Sequence, residues 1–412
     1  MSTIVLKGYE DDSNNGFLID TLILLLPLFT IRGDTNNNYI TGLYLSLLFA
    51  VVVFNKSYYS NFKFTFFNYK IWVALLVWGV YILNKSPEFK LAILYFLFTI
   101  VSPFLLFQLL CNIKFNEKLL RKLFQVLFLV GFILGLGSVF YVLIEGYDPK
   151  ARLTSFWTAF NMVSGYLMIL FMFNLSFLIN RKKDESIFFY SVTIFFILFG
   201  MFLTQTRGVW VATIVAVAFF FIKRPKIIIP SVIFLGFFAY FFSGVINERF
   251  FTVVNFTKDA SAVGRMQAWL SSAILIVQNP FLGYGFDSYV DLRDSVFSYY
   301  VVKVLHSHNT YLRALLELGL VGATLYFYFF FKGMYYSFRF KNIEFVSTYK
   351  RYIDGLQLSF LGLIIIFNFE PYFSIYDNSC LVIWLVISIS FVLKRIADGY
   401  DSTSSSQSGL LS

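Results

Sequence analysis

Charged residues are scarce in this chain. Asp, Glu, Lys and Arg make up 14% of its 412 residues, hydrophobic residues make up 58%, and the mean hydropathy is +0.72. A soluble globular domain has about 25% charged residues, so this composition excludes a compact domain that is dissolved in water. The formal charge of +10 comes from lysines and arginines in short loops between apolar runs, a distribution typical of membrane proteins rather than of nucleic-acid-binding proteins.

Cysteine and histidine are also rare, with two residues of each. Cys111 and Cys380 lie in apolar segments, which favours small buried hydrophobic side chains over a disulfide or a metal site. His306 and His308 alone are too few for a structural zinc site. The sequence contains no D-x-D, Walker or G-x-G-x-x-G motif, so a nucleotide donor bound through Mg²⁺ is not supported. We expect neither a metal nor a cofactor.

Long apolar runs dominate what is present. A helix that crosses the hydrocarbon core of a membrane needs about 20 residues, or somewhat fewer with interfacial anchors. The aromatic fraction of 21% is interpreted mainly as lipid-facing side chains and interfacial anchors, and the first run is interpreted as an uncleaved span. The runs predict an all-α polytopic membrane protein with about twelve transmembrane helices, at 17–31, 40–54, 71–84, 91–111, 123–143, 159–180, 187–204, 209–222, 227–244, 311–331, 352–369 and 377–393.

Positively charged loops orient these helices. Placing the N-terminus in the cytoplasm puts most lysines and arginines on that side, with clear anchors at Arg181-Lys182-Lys183 and Lys223-Arg224-Pro225-Lys226. The orientation predicts an N-terminal bundle of about nine helices (1–244), one long outward-facing loop carrying short helices (245–310) and three C-terminal helices (311–393). The composition of the serine-rich C-terminus predicts a disordered cytoplasmic tail (394–412).

The long loop carries an amphipathic helical pattern. Apolar residues follow Gly264-Arg265 at spacings of three and four up to Val277, and Asn279-Pro280 ends the pattern. We expect this helix to lie on the membrane surface or to pack on the helix bundle. The charged residues that follow are interpreted mostly as solvated loop charges: Asp287, Asp291, Arg293 and Asp294.

Both histidines lie at the end of this loop, in His306-Ser307-His308-Asn309-Thr310, where Asn309 or Thr310 is suited to cap the next helix. An imidazole near its unperturbed pKa takes a proton from a hydroxyl group at neutral pH, so the pair is a candidate for general base catalysis. The alternative interpretation is that the segment is only the polar start of a helix.

Three arginines are candidates for binding an anion. Arg207, Arg265 and Arg152 are all predicted at the outer face. Guanidinium groups bind phosphates through bidentate hydrogen bonds and keep their charge. Together they would suit a lipid diphosphate at headgroup depth, whereas each arginine alone is equally consistent with a side chain that reaches the lipid headgroups.

The order of these motifs resembles the O-antigen ligase and polymerase superfamily over about residues 200–325. This resemblance implies a glycosyltransferase of the bacterial inner membrane that takes a glycan from undecaprenyl diphosphate on the periplasmic side, without metal or ATP. The motifs that carry it are Thr204-Gln205-Thr206-Arg207-Gly208, Gly264-Arg265 with Trp269, Gln278-Asn279-Pro280 with Gly283-Tyr284-Gly285, and His308-Asn309 before Glu317-Leu318-Gly319.

The resemblance also implies roles for individual residues. The histidine of the family motif falls on His308 and its essential arginines fall on Arg207 and Arg265. His308 would then be the general base on the acceptor hydroxyl, while the two arginines bind the leaving diphosphate. The candidate supporting residues are His306, Asn309, Arg152 and Glu317.

Within the superfamily, a ligase passes the glycan to a sugar hydroxyl of lipid A–core, whereas a polymerase joins repeat units on the lipid carrier. One dominant outer loop and the segment Asn368-Phe369-Glu370 favour the ligase. The expected partners are the undecaprenyl-diphosphate-linked donor, lipid A–core and membrane lipids, with no nucleic acid and with the oligomeric state open.

A transporter or flippase is the competing class of function. It would use acidic residues within the membrane as proton or ion sites, and the candidates are Asp20, Glu370 and Asp377. All three lie near predicted ends of spans, where solvation at the membrane interface is the simpler account.

Overall fold

The described part of the chain folds into helices and the turns that connect them. The computed structural model describes residues 66–113, 115–145, 160–222, 260–372 and 379–408, together with Thr21, Leu24, Leu25, Leu45 and Leu47. No strand occurs among these residues. Their helices are α1 (Phe66–Leu83), α2 (Phe89–Asn112, with a π-helical turn at Leu97–Val101), α3 (Glu117–Glu145), α4 (Phe160–Ile179), α5 (Ile187–Leu203), α6 (Arg207–Phe221), α7 (Ala260–Gln278), α8 (Tyr289–Arg293), α9 (Thr310–Ser337), α10 (Ile343–Ile366) and α11 (Ser379–Ser408).

The predicted apolar runs coincide with helices wherever the chain is described, which confirms the all-α class. The structure describes only five residues of the runs 17–31 and 40–54 and none of 227–244, so the count of twelve stays a prediction. By length and composition, five described helices could cross a membrane, and α7 is one of them although the sequence places it in the outer loop. The five are Phe89–Asn112, Glu117–Ile144, Ala260–Gln278, Thr310–Ser337 and Cys380–Tyr400.

The segments that carry the sequence motifs meet at one end of the helix bundle. The backbone N–H of Phe286 donates to Ser86 Oγ at 2.8 Å, and the N–H of Thr310 donates to the carbonyl of Phe367 at 2.7 Å. A methyl group on Gly208 would lie 3.0 Å from Cβ of Phe369, so the turn after α5 packs here as well. We call this end, formed by 84–88, 204–206, 279–309 and 367–372, the motif end.

The other end of the bundle holds Ile113, the pair 115–116 and the segments 180–186 and 338–342, and we call it the opposite end. Arg351 near the start of α10 is buried and pairs there with Glu185 at 2.6 Å and with Glu117. Arg395 of α11 donates to the carbonyl of Ile113. The described loops therefore alternate between two ends, whereas the membrane topology stays a prediction.

A cluster of aromatic side chains fills the bundle between α1, α2, α9 and α11. The ring centroids of Trp72 and Phe329 lie 4.4 Å apart in a stacked pair, and Trp384 and Phe107 pack around them. All four side chains are fully buried. The interpretation of the aromatic residues as mainly lipid-facing is therefore wrong for this cluster, because large rings also fill the gaps between helices in the core.

Helix α9 is interrupted at Gly319, whose backbone has φ 67° and ψ 178°. The segment 280–285 occupies the break and pairs with its free backbone groups. Tyr284 N donates to Leu316 O at 2.9 Å, and Leu320 N donates to Pro280 O at 2.8 Å. A methyl group on Gly319 would lie 2.3 Å from the carbonyl oxygen of Phe281, so only glycine fits. The motif Gly283-Tyr284-Gly285 is thus a joint between the loop and α9.

Helix α7 ends at Gln278, as predicted, and packs on α9. Its buried residues are mostly small, among them Gly264, Ala268 and Ser271, which allow close approach of two helices. The apolar residues Met266, Leu270 and Val277 are instead exposed. The periodicity therefore predicts the helix correctly, and its apolar face points away from the bundle.

The structure differs from the prediction of a disordered tail over 394–408, because α11 continues to Ser408. The buried part of α11 has already nucleated the helix, and adding residues to an existing helix avoids the cost of nucleation. An ion pair between Lys394 and Asp398, four residues apart, supports this extension.

Candidate functional site

His308 lies immediately before α9 at the motif end. Asn309 is the N-cap of the helix, and its Oδ1 accepts a hydrogen bond from Leu312 N at 2.9 Å, which confirms the predicted cap. His308 itself has φ 46°, in the left-handed region that few non-glycine residues adopt. Residues in such strained conformations persist only where the surrounding structure holds them in place, and they cluster at functional sites.

Thr310 fastens the segment 367–372 to the start of α9. Its hydroxyl donates to the carbonyl of Glu370 at 2.6 Å and accepts from Tyr372 N at 3.1 Å. Its backbone N–H donates to the carbonyl of Phe367, and the side chain is fully buried. These three hydrogen bonds hold Glu370 next to the histidine segment.

The carboxylate of Glu370 joins a histidine and an arginine that are far apart in sequence. Oε1 accepts a hydrogen bond from Arg265 Nη2 at 3.1 Å, and Oε2 lies 3.5 Å from His308 Nδ1. The Glu370 side chain is 4% exposed, whereas those of His308 and Arg265 are 18% and 24% exposed. The buried carboxylate thus bonds to Arg265 and lies beside His308, whose Nδ1 has no hydrogen-bond partner among the described residues.

The loop before His308 folds back over the first turns of α7. Gln267 Oε1 accepts from Val301 N at 2.9 Å, and its Nε2 donates to Tyr299 O at 3.3 Å. A methyl group on Gly264 would lie 2.9 Å from Cβ of Val302, so glycine is needed for this approach. This contact brings the histidines to the helix that carries Arg265.

His306 stacks edge-on against His308, with ring centroids 4.2 Å apart. Burial lowers the pKa of His306 well below its usual range, and the positive charges of Arg313 and Arg265 lower it further. Nδ1 of His306 is buried without a hydrogen-bond partner. His306 therefore stays neutral beside His308 at physiological pH.

Arg207 is the first residue of α6, directly after a tight turn at Thr204–Thr206 that matches the prediction. Gln205 in this turn has φ 52°. Gly208, which follows Arg207, packs on Phe369, which precedes Glu370 in the segment after α10. The structure thus brings Arg207 to the same end of the bundle as Arg265 and His308.

A second charged cluster lies beside the first and contains Glu317. Arg313 Nε donates to Glu317 Oε1 at 2.8 Å, and Arg313 Nη2 lies 3.4 Å from Asp287 Oδ1. Tyr95 donates its hydroxyl to the same Asp287 oxygen at 3.0 Å. Burial raises the pKa of Asp287, and Arg313 and the Tyr95 hydrogen bond oppose this rise. Glu317 therefore pairs within this cluster and not with His308.

Several expectations need correction. Asp287 and Arg293 are not solvated loop charges, because Asp287 pairs with Arg313 and Arg293 is buried with its guanidinium bonded to the carbonyl of Val304. Interfacial solvation is also wrong for Glu370, which is buried and paired. Among the described residues, no group of three histidine, cysteine, aspartate or glutamate side chains could hold a metal ion.

The predicted site residues thus have different outcomes. The structure brings His306, His308 and Arg265 together, places Asn309 as a helix cap and assigns Glu317 to the neighbouring cluster. Arg152 lies outside the described residues. The contact of Glu370 with Arg265 and His308 was missed from the sequence, although its acidic side chain near the end of a predicted span was a usable signal.

Comparison with known proteins identifies a family for part of the chain. Residues 192–327 match the family described as O-antigen ligase, which confirms the resemblance to that superfamily. The matched region runs from within α5 to within α9 and includes Arg207, Arg265 and His308, whereas Glu370 lies beyond it. A comparison with curated proteins finds no match to the chain.

Proposed function

On the premise that residues 192–327 carry an O-antigen ligase domain, we propose that the protein is an inner-membrane glycosyltransferase of the ligase type. It moves O-antigen polysaccharide from undecaprenyl diphosphate to a sugar hydroxyl of lipid A–core on the periplasmic face. The observation that carries the proposal is the Glu370 carboxylate at the motif end, which bonds to Arg265 and lies 3.5 Å from His308 Nδ1.

His308 is the general base in this proposal. Glu370 lies on the Nδ1 side of the imidazole, which favours the tautomer with the proton on Nδ1 and leaves Nε2 to accept a proton. The acceptor hydroxyl gives its proton to Nε2 as its oxygen attacks the anomeric carbon. Glu370 is thus a positioning residue that also stabilises the imidazolium formed in this step.

The arginines stabilise the leaving group. As the bond between the anomeric carbon and the diphosphate oxygen breaks, its electron pair stays on the diphosphate. Only Nη2 of Arg265 bonds to Glu370, so the remaining N–H groups of this partly exposed guanidinium can donate to the diphosphate. Arg207 is proposed to bind it from the α6 side. A single displacement of this kind inverts the anomeric carbon.

Transfer by purified protein tests this proposal. We expect wild-type protein in detergent to move glycan from the lipid diphosphate to lipid A–core, and His308→Ala to abolish transfer while remaining in the membrane. Lys303→Ala is the matched control, because Lys303 lies in the same loop, is exposed and pairs only with Asp294 among described residues. Wild-type-like transfer by His308→Ala would contradict the role of His308, and no transfer by the wild type would favour a transporter.

The polymerase is the second candidate, because the family match covers both reactions in general terms. A deletion strain separates the two. Loss of long chains attached to core, while lipid-linked polymer persists, identifies a ligase. A core that carries only one repeat unit identifies a polymerase.

A further inference from the structure

A basic pocket lies at the opposite end of the bundle, far from the histidines. It has a volume of about 240 Å³ and is formed where α9 ends, α10 begins and α11 passes beside them. Its lining combines the cations Arg339, Lys341 and Lys394 with the rings of Tyr335 and Tyr336. Helix α9 has 28 residues and rises about 1.5 Å per residue, so the pocket lies about one membrane thickness from His308.

The positive charge in this pocket is only partly compensated. Lys394 pairs with Asp398, but no carboxylate in the described part of the chain pairs with Arg339 or Lys341. Lys332 adds a further cation, with Nζ 5.3 Å from the ring centroid of Tyr336. Two exposed cations at the rim of one cavity therefore remain available to an anion.

The surroundings of the pocket match the boundary of a membrane. Tyr335 in its lining is exposed, and so are three large apolar residues close to the lining in sequence, Phe331, Phe338 and Ile343. Exposed apolar and aromatic side chains at the end of an apolar helix are typical of the level where acyl chains meet headgroups. A ligand of this pocket would therefore have an anionic group in the cavity and an apolar part along the outside of the bundle.

We propose that this pocket binds the phosphate headgroup of an anionic phospholipid in the leaflet at the opposite end. Arg339 and Lys341 donate to the phosphate oxygens, and the acyl chains lie against the exposed apolar residues around the pocket. The site is separate from the proposed reaction, which takes place at the motif end. A soluble phosphate offers the same anion without acyl chains, and the experiment distinguishes these two sources.

Thermal unfolding in a neutral detergent tests the site. Phosphatidylglycerol should raise the Tm of the full-length protein, and phosphatidylcholine should not. The double variant Arg339→Gln/Lys341→Gln should bind phosphatidylglycerol about 30-fold more weakly, because each cation near a lipid surface contributes about a fivefold affinity. Both side chains are exposed, so the variant is expected to fold, and its Tm without lipid verifies this.

Arg181→Gln/Lys183→Gln is the matched control. Both residues are exposed and lie in the segment 180–186 at the same end of the bundle. Their substitution removes two positive charges, as in the first double variant, but outside the pocket. The control should respond to phosphatidylglycerol as the wild type does. An equal loss in both double variants would overturn the proposal, because it would indicate attraction by net charge alone. A rise in Tm with inorganic phosphate at the same concentration would also overturn it, because the site would then bind soluble phosphate.

Discussion

The hydroxyl of Thr310 should determine the rate of transfer, although it does not face the substrate in the proposed mechanism. Thr310→Val keeps the shape of the side chain but removes the hydrogen bonds to Glu370 O and from Tyr372 N. The loss of each hydrogen bond costs about 0.5–1.5 kcal/mol. The bond from Thr310 N to Phe367 O remains, so the segment 367–372 stays attached but can shift.

A shift of about 1 Å in a positioning group can cost about 100-fold in rate. We therefore expect kcat of Thr310→Val to fall by about 10- to 100-fold, with KM for the lipid donor nearly unchanged. The assay is glycan transfer by purified, folded protein at saturating acceptor. Thr310→Ser retains the hydroxyl and should keep most of the activity.

Epistasis with Glu370 shows whether Thr310 acts through that residue. Glu370→Gln should itself lower kcat, and adding Thr310→Val to it should cause little further loss, because the carboxylate to be positioned is already gone. A wild-type rate in Thr310→Val, or a full additional loss in the double variant, would refute this reasoning.

Three further predictions concern stability. Gly319→Ala should lower the Tm strongly, because the backbone conformation at this position is one that glycine alone adopts readily and a methyl group would lie 2.3 Å from a carbonyl oxygen. Gly137→Ala is the control, because a methyl group there would have no atom within 4 Å. An equal fall in Tm in the two variants would contradict the steric argument. The pKa of His306 lies below its usual value of 6.5, so only the unfolded state gains a proton there as the pH falls below about 6.5. The Tm of the wild type should therefore fall more between pH 7.5 and pH 5.5 than the Tm of His306→Gln. Parallel curves of Tm against pH would count against a neutral His306. Arg351→Met removes the buried cation that Glu117 and Glu185 share, while Lys182 and Arg121 remain beside them, and should cost about 1.5–3 kcal/mol in denaturant unfolding; unchanged stability would argue against this ion pair.

The positions of the helices could be predicted from the sequence because the hydrocarbon core of a membrane requires long apolar runs. The break in α9 could not, since Leu318-Gly319-Leu320 reads as part of an ordinary span. Gly319 becomes a break only because the segment 280–285, which is distant in sequence, supplies partners for its backbone.

The site was predicted in part for a related reason. His308 and Arg265 could be identified because they stand in short motifs within one loop. Glu370 lies 105 residues from Arg265, and its role depends on a hydrogen bond that only the folded chain forms. The sequence also does not show which way the apolar face of α7 points, because a periodic apolar face can contact either lipid or protein.

The joint between the loop and α9 has a consequence for engineering. Several of its hydrogen bonds run between main-chain atoms, and two side chains add to them: Asn279 Nδ2 donates to Gly283 O at 2.7 Å, and Trp78 Nε1 donates to Leu318 O at 2.8 Å. The requirement is steric and falls on Gly283, Gly285 and Gly319, where an added methyl group would meet backbone atoms at 2.3–2.6 Å. Chimeras that exchange residues 260–310 with those of a related chain should therefore assemble if these three glycines are retained together with Asn279 and Trp78.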